Sequence, residues 1–323
     1  MEEEKLKLAS ENNQEQSSKE IPEKEAEKTR SGFIAIIGLP NVGKSTLLNQ
    51  ILGTKVSIVS PKPQTTRFNI RGVFTKGNSQ IIFIDTPGIH DAKSLFNQLM
   101  VKEALRVLEE VDGILWVMDV TNRLPEEEKI LDIIKQVNKP TILVLNKIDL
   151  IKKGELLPII DYFSKLYDFK AIIPISALKN DGVDIVIEEL LKILPEGPFF
   201  YDPSQVTDLP LSLLISEVIR EKIFLLTYQE IPYSSAVKVE EVREEPEKNL
   251  LYIRATIFIE RDSQKGIIIG KGGKMLKKIG TLAREELEFL LGKKIYLDLW
   301  VKALKDWREK ESHIRRLAIP QFG

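Results

Sequence analysis

Gly38-Leu39-Pro40-Asn41-Val42-Gly43-Lys44-Ser45 decides how the rest of this chain is read. The run Phe33-Ile34-Ala35-Ile36-Ile37 before it reads as a buried strand, and Thr46-Leu47-Leu48-Asn49-Gln50-Ile51-Leu52 after it as a helix stopped by Gly53. The octapeptide is then a strand-to-helix turn with the spacing G-x-x-x-x-G-K-S, the phosphate-binding P-loop. Gly38 and Gly43 let the backbone curl until its N–H groups face an anion, and the helix N-terminus adds partial positive charge. Lys44 is placed to reach β- and γ-phosphates, and the Ser45 hydroxyl to bind Mg²⁺. Pro40, Asn41, Val42 and Thr46 complete the candidate nucleotide-binding set of this turn.

From Phe33 to about Pro195, strands (33–37, 69–74, 80–84, 113–118, 141–145, 171–175) alternate with helical stretches (44–52, 93–110, 126–137, 155–167, 182–193). That alternation predicts an α/β domain, a mainly parallel sheet with helices on both faces, whose ligands sit at the carboxyl ends of the strands. The polar motifs fall there. Asp85-Thr86-Pro87-Gly88, followed by Ile89, offers a carboxylate for hydrated Mg²⁺ and a Gly88 N–H for a γ-phosphate, so the loop would be released on hydrolysis. Asn146-Lys147-Ile148-Asp149 ends another strand; the Asp149 carboxylate can accept two N–H bonds from a guanine edge, which adenine does not offer. Ser176-Ala177-Leu178 ends a third, placed to give a backbone N–H to the base oxygen. Each tetrapeptide alone is an ordinary polar loop. Four such loops in this order, the P-loop included and each at a strand end, are not.

The chain of 323 residues has room for about two domains, and its 43% hydrophobic content is enough for buried cores. It lacks Cys, which excludes disulfides and thiolate chemistry, and its two histidines, His90 and His313, exclude a His-rich metal site. No apolar run reaches the length of a membrane span. The net charge of −1 means that any nucleic-acid surface is a local patch. Residues 1–30 are rich in Glu, Lys, Gln and Ser and read as a disordered tail that is neither a secretion signal nor a transit peptide.

Pro195-Glu196-Gly197-Pro198 ends the alternation, so the first domain spans 31–197 and a linker with Phe199, Phe200 and Tyr201 spans 198–207. From 208 to 323 the expected order is α-β-β-α-α-β: a helix capped by Asp208, strands at 235–242 and 250–260, a helical turn, a helix over 273–291 and a strand over 295–301. Between the two short helices stands Gly270-Lys271-Gly272-Gly273. Its glycines permit close approach of a sugar–phosphate backbone, and the next helix N-terminus favours phosphate. Lys265, Lys271, Lys274, Lys277 and Lys278 crowd this end, and Ile268 and Ile269 are the expected floor of an apolar groove for unstacked bases.

The motifs of residues 31–195 resemble G1, G3, G4 and G5 of TRAFAC-class GTPases, and Lys62-Pro63-Gln64-Thr65-Thr66-Arg67 resembles the switch I segment of the TrmE–Era–EngA group. The resemblance implies that a Thr before the Arg binds Mg²⁺, which favours Thr66; the residues alone do not separate Thr65 from Thr66. It also implies that Asn41 and the switch I backbone coordinate a K⁺ that stimulates hydrolysis. Ras-type enzymes place a water-orienting Gln where this chain has Ile89, so slow turnover is expected, with Lys44, Thr66, Gly88 and Asn41 as the catalytic set. His90 reads as a solvent-facing loop residue, and a His90→Ala rate near wild type is expected.

The second half resembles a type II KH domain, and the two together, over about 31–309, resemble the Era family. That resemblance implies a monomeric cytoplasmic GTPase that binds the 3′ end of 16S ribosomal RNA and acts in 30S subunit maturation. An alternative of another class is a membrane-surface signalling GTPase, peripheral at the inner face of the membrane, whose basic patch meets anionic lipid. A third reading makes the KH domain a single-stranded DNA binder. A metabolic kinase is disfavoured, because Asp149 selects guanine and no second substrate pocket is evident.

Overall fold

The structure, a computed structural model, describes residues 28–90, 94–122 and 125–319. The tail expected over 1–30 therefore lies mostly outside the described residues. Its last residue does not behave as tail: Arg30 opens the first strand, and Thr29 Oγ1 donates to the Gly197 carbonyl at 2.9 Å.

The first domain is built as β1 (Arg30–Ile37), α1 (Lys44–Leu52), β2 (Ile70–Lys76), β3 (Ser79–Asp85), α2 (Leu95–Glu110) and β4 (Gly113–Asp119). It continues through α3 (Glu126–Val137), β5 (Thr141–Asn146), α4 (Leu156–Ser164), β6 (Ala171–Pro174) and α5 (Val183–Ile193). The six strands run in the order β2-β3-β1-β4-β5-β6, all parallel except β2, which pairs antiparallel with β3. The central strands are unbroken apolar runs such as Ile114-Leu115-Trp116-Val117-Met118, all buried, because helices cover both faces. Parallel register brings the carboxyl ends of β1, β3, β4 and β5 to one rim, with Asp85 beside Ile36 and Asp119 beside Asn146.

The linker follows the edge of this sheet. Val73 N donates to the Val206 carbonyl at 2.9 Å, and the Gln80 amide bonds the backbone of Phe200 and Tyr201. Asp208 caps no helix. Pro210 takes the cap position, and the Asp208 carboxylate instead pairs with Arg71 at 3.0 Å and accepts from the Tyr201 hydroxyl at 2.8 Å.

The second domain comprises α6 (Leu211–Leu226), α7 (Ile231–Ser234), β7 (Ala236–Glu245), β8 (Leu250–Ile259), α8 (Asp262–Ile269), α9 (Lys274–Leu291), β9 (Lys294–Ala303) and α10 (Glu311–Leu317). Its sheet has the order β7-β8-β9, with β7 and β8 antiparallel and β8 and β9 parallel. Alternate residues Leu251, Ile253, Ala255 and Ile257 face the helices α6, α8 and α9 in one core.

Helix α6 departs from a simple amphipathic helix. Its charged residues Glu217, Arg220, Glu221 and Lys222 are buried as well as its apolar stripe, since the loop after α1 lies across them. Arg220 ion-pairs with Glu217 and donates to the Thr65 carbonyl; Glu221 accepts from Val59 N at 2.9 Å and from Lys55 Nζ at 2.6 Å. Lys62 Nζ donates to the carbonyls of Phe224 and Thr227 at the last turn of α6. Buried Arg67 donates to the Ser235 carbonyl at 2.7 Å and to the Pro232 carbonyl at 3.1 Å. Phe68, Phe96 and Met100 of the first domain share a core with Trp307, Ile314 and Leu317 of the second.

Candidate functional site

Four rim loops enclose one cavity of about 240 Å³. The P-loop contributes Pro40, Asn41, Gly43, Lys44, Ser45 and Thr46. Gly88, then Asn146, Lys147 and Asp149, then Ser176, Ala177 and Leu178 close the other sides. Gly38, Val42, Asp85, Thr86, Pro87 and Ile89, expected at the site, do not line it; they brace it from behind. The Thr86 hydroxyl donates to the Ile36 carbonyl at 2.8 Å, Ile89 N donates to the Gly38 carbonyl at 3.1 Å, and Ile89 packs into the core.

Asn146 joins three loops. Its Nδ2 donates to the Val42 carbonyl at 2.7 Å, and its Oδ1 accepts from Lys147 N at 2.8 Å and Ala177 N at 2.9 Å. A Cβ on Gly43 would lie 2.2 Å from Asn146 Nδ2, so glycine is demanded by the neighbouring loop and by a φ of 103°. The amide of Asn146 is thus spent on holding the cavity's shape. Lys147, at a φ of 70°, sends its ammonium to Asp119 at 2.5 Å, and half-buried Asp149 faces the cavity beyond it.

At the phosphate end, Lys44 Nζ donates to the carbonyls of Gly38 and Leu39 at 3.2 and 2.9 Å. Burial pulls its pKa from 10.5 to about 8, against the opposing charges of Asp85 and Glu127. Asp85 is also fully buried. Its Oδ2 accepts from Ser45 at 2.6 Å and Ser57 at 2.8 Å, while its Oδ1 has no partner among the described residues. Desolvation raises the Asp85 pKa although Lys44 and the hydroxyls pull it down. An orphan carboxylate oxygen beside two hydroxyls is a donor set that suits a hydrated divalent cation.

Thr66 and Thr65 separate here. The Thr66 and Ser45 hydroxyls are 2.9 Å apart, whereas Thr65 Oγ1 turns away to Ser60 and the Lys62 carbonyl. His90 is not the solvent-facing residue expected. It is half-buried, its Nδ1 lies 2.7 Å from the Gly88 carbonyl, and its Nε2 lies 3.0 Å from Gln64 Nε2. Asn41 Nδ2 donates to the Pro61 carbonyl at 2.9 Å. Gln64 of the switch I segment also lines the cavity, as do Ile58, Val59 and Ser60, and Ser57 reaches Asp85; these last four lie outside every motif.

A second candidate site lies at the start of α9. Gly270, Gly272 and Gly273 all have positive φ, and a Cβ on Gly270 would lie 2.7 Å from Met275 Cβ. Lys271, Lys274, Lys277 and Lys278 are exposed and, among the described residues, pair with no carboxylate; Lys265 pairs with Asp262 at 2.7 Å. Ile268 is not a groove floor. It is fully buried in the domain core, while Ile267 and Ile269 are the exposed members of the run.

Residues 33–147 match the family model described as a 50S ribosome-binding GTPase, and residues 230–308 match the one described as a KH domain. The chain is 50% identical over 289 residues to the GTPase Era of Ruminiclostridium cellulolyticum, covering 89% of this chain and 97% of that one. The GTPase Era of Geobacter metallireducens is 49% identical over the same shares. A crystal structure of an Aquifex aeolicus Era variant bound to GDP·AlF4⁻ superposes with a TM-score of 0.86 at 46% identity, over 89% of this chain and 98% of that one. Another, of Era with MgGDPNP and nucleotides 1506–1542 of 16S ribosomal RNA, gives 0.86 at 47% identity over the same shares. With both halves matched in one relative across nearly their whole length, this chain belongs to the Era family of GTPases.

Proposed function

We propose that this GTPase is a nucleotide-controlled switch whose KH domain holds single-stranded RNA at the 3′ end of 16S ribosomal RNA during small-subunit (30S) maturation. The observation that carries the first half is the convergence of four loops on one cavity with Asn146 knotting three of them. Asp149 would accept the guanine N–H groups. Lys44 and the P-loop amides would neutralise the phosphates, and Gly88 N–H would read the γ-phosphate. Ser45 and Thr66, with Asp85 behind them, would hold Mg²⁺, which would supply charge neutralisation of the phosphates. Asn41 and the Pro61 carbonyl are the donors offered to K⁺; equal rates in K⁺ and Na⁺ would remove that role.

For the second half, the relative of 47% identity carries a small-subunit RNA. The family description that names the large subunit covers residues 33–147 alone, and the RNA-gripping turn lies outside that span. Among the described residues no helix is long and apolar enough to cross a membrane. We take the chain to act as a cytoplasmic monomer, with any membrane contact peripheral. Nucleotide and RNA affinities of the purified chain test the proposal together. GTP should bind in strong preference to ATP, and an oligoribonucleotide of the 16S 3′ end should outcompete anionic vesicles. Equal uptake of ATP, or lipid affinity without RNA affinity, would reject it.

A further inference from the structure

We propose that the outer face of the β7-β8-β9 sheet is a second RNA-contact surface, which stacks unpaired bases on Tyr296 and Trp300. It rests on the reading of the second domain as an RNA binder but uses none of the glycine turn. Helices α6, α8 and α9 cover the inner face, and α10 with the first domain covers the outer face only at its Ala236–Phe258 end, so along the edge strand β9 every second residue points outward: Lys294, Tyr296, Asp298, Trp300 and Lys302. Tyr296 is 57% and Trp300 56% exposed, large apolar rings in a row that the fold leaves in water. Tyr252 on β8 stands opposite Tyr296 and stacks with it at 5.6 Å and 10°. Arg243 lies over the Tyr252 ring at 5.1 Å.

An ordinary cross-strand pair accounts for Tyr252 and Tyr296. It does not account for Trp300, whose neighbour across the ladder is the small Thr256. Asp298 takes the Trp300 indole N–H at 2.9 Å and faces the Tyr252 hydroxyl at 3.5 Å, so the rings are held in place before any ligand arrives. Lys294 and Lys302 bracket the row and, among the described residues, pair with no carboxylate. The acidic neighbours Glu241 and Glu245 are engaged by Arg254 and Arg243. Exposed π-faces between free cations suit bases and phosphates of a single strand. Tyr296 and Trp300 stand about 13 Å apart along the strand, and a duplex, whose base faces are already stacked, could not use both.

Fluorescence tests this directly, because Trp116 and Trp307 are fully buried and Trp300 is the one exposed tryptophan of the three. Oligouridylate added to the full chain should quench Trp300 emission, and the quenching should persist when Gly272 and Gly273 are both replaced by aspartate. Trp300→Ala should weaken binding of a long single strand about tenfold, within the range for loss of one stacked base, and Trp300→Phe should restore most of it. Absence of quenching, quenching that vanishes with the glycine variant, or equal binding by Trp300→Ala overturns the proposal. Failure of the glycine-turn reading shows separately, as undiminished retention of RNA by the aspartate variant with the Trp300 signal intact.

Discussion

The chain carries two glycine turns that feed a helix N-terminus, Gly38–Ser45 before α1 and Gly270–Gly273 before α9, and they are built for opposite ligands. In the first, Gly43 is locked against Asn146, and Lys44 is buried behind the loop. In the second, a Cβ on Gly272 or Gly273 meets nothing within 4 Å, and the lysines stand in water. Both turns offer amides and a helix dipole to phosphate. What differs is enclosure. A small triphosphate can be surrounded by loops that tie to one another, while a polymer must be able to enter and leave from the side.

The largest test of that difference compares one methyl group in each turn. Gly43→Ala drives a Cβ to 2.2 Å from Asn146 Nδ2 at a φ of 103°. Strain and the loss of the Asn146 bonds should together cost about 4 kcal/mol, roughly a thousandfold in nucleotide affinity. Gly273→Ala, at a φ of 76° in open space, should cost about 1 kcal/mol of stability and leave nucleotide affinity unchanged. Calorimetric titration with GDP on both variants checks this; equal losses would show that enclosure is not the distinction.

Enclosure also traps charge. Glu127 is buried and, among the described residues, neither of its carboxylate oxygens is hydrogen-bonded. Desolvation lifts its pKa from 4.5 to about 7, the charge of Lys44 pulling it back only in part. Between those values the folded chain holds a proton that the unfolded chain has lost, so stability falls as pH rises through that window. The loss is about 3 kcal/mol. Lys44 runs the other way: its folded pKa of about 8 lies below 10.5, so stability returns as pH rises from 8. Denaturant unfolding should therefore pass through a minimum between about pH 7 and 8, and Glu127→Gln should flatten the acidic limb.

On the open side, Gly272→Asp with Gly273→Asp sets carboxylates where the proposed RNA contact would bring phosphate, in space that admits them. The double variant should lose about 2 kcal/mol of RNA affinity, roughly thirtyfold, with GTP affinity unaltered. Filter retention of an oligoribonucleotide beside GDP titration decides it, and a matched fall in both affinities would mean that the fold, not the turn, had been damaged.

Both turns and nearly every element around them are legible in the sequence, because P-loop spacing, alternating apolar runs and helix stops are local signals. The helix over 126–137 has the bounds expected, and the expected α-β-β-α-α-β order is present, with the short α7 added before β7 and α10 added after β9. What is hidden is phase and partnership. Ile267-Ile268-Ile269 contains no polar residue to say which side faces the core, so Ile268 reads as surface although it is buried. Asp208 precedes a helix and reads as its cap, but Arg71, distant in sequence, claims it. The docking of Thr65 and Arg67 on α6 and α7 joins residues more than 150 positions apart, which no local pattern records.

His90 shows the same limit at the reacting end of the enclosed site. As the residue after Gly88-Ile89 it reads as free loop, yet its Nδ1–H donates to the Gly88 carbonyl, which fixes the tautomer and leaves Nε2 to accept from the Gln64 amide at 3.0 Å. The ring therefore links the loop that carries the Gly88 amide to switch I, and Gln64 lines the cavity beside Thr66. His90→Ala removes two neutral hydrogen bonds at a half-exposed position, an expected cost of about 1 kcal/mol. That corresponds to a roughly fivefold fall in kcat/KM for GTP, with GDP affinity unchanged because GDP lacks the γ-phosphate that Gly88 would read. Gln64→Ala removes only the second of these bonds and should cost less, and the double variant should fall no further than His90→Ala alone. Additive losses would separate the two residues, and a rate equal to wild type would return His90 to the status of a free loop residue.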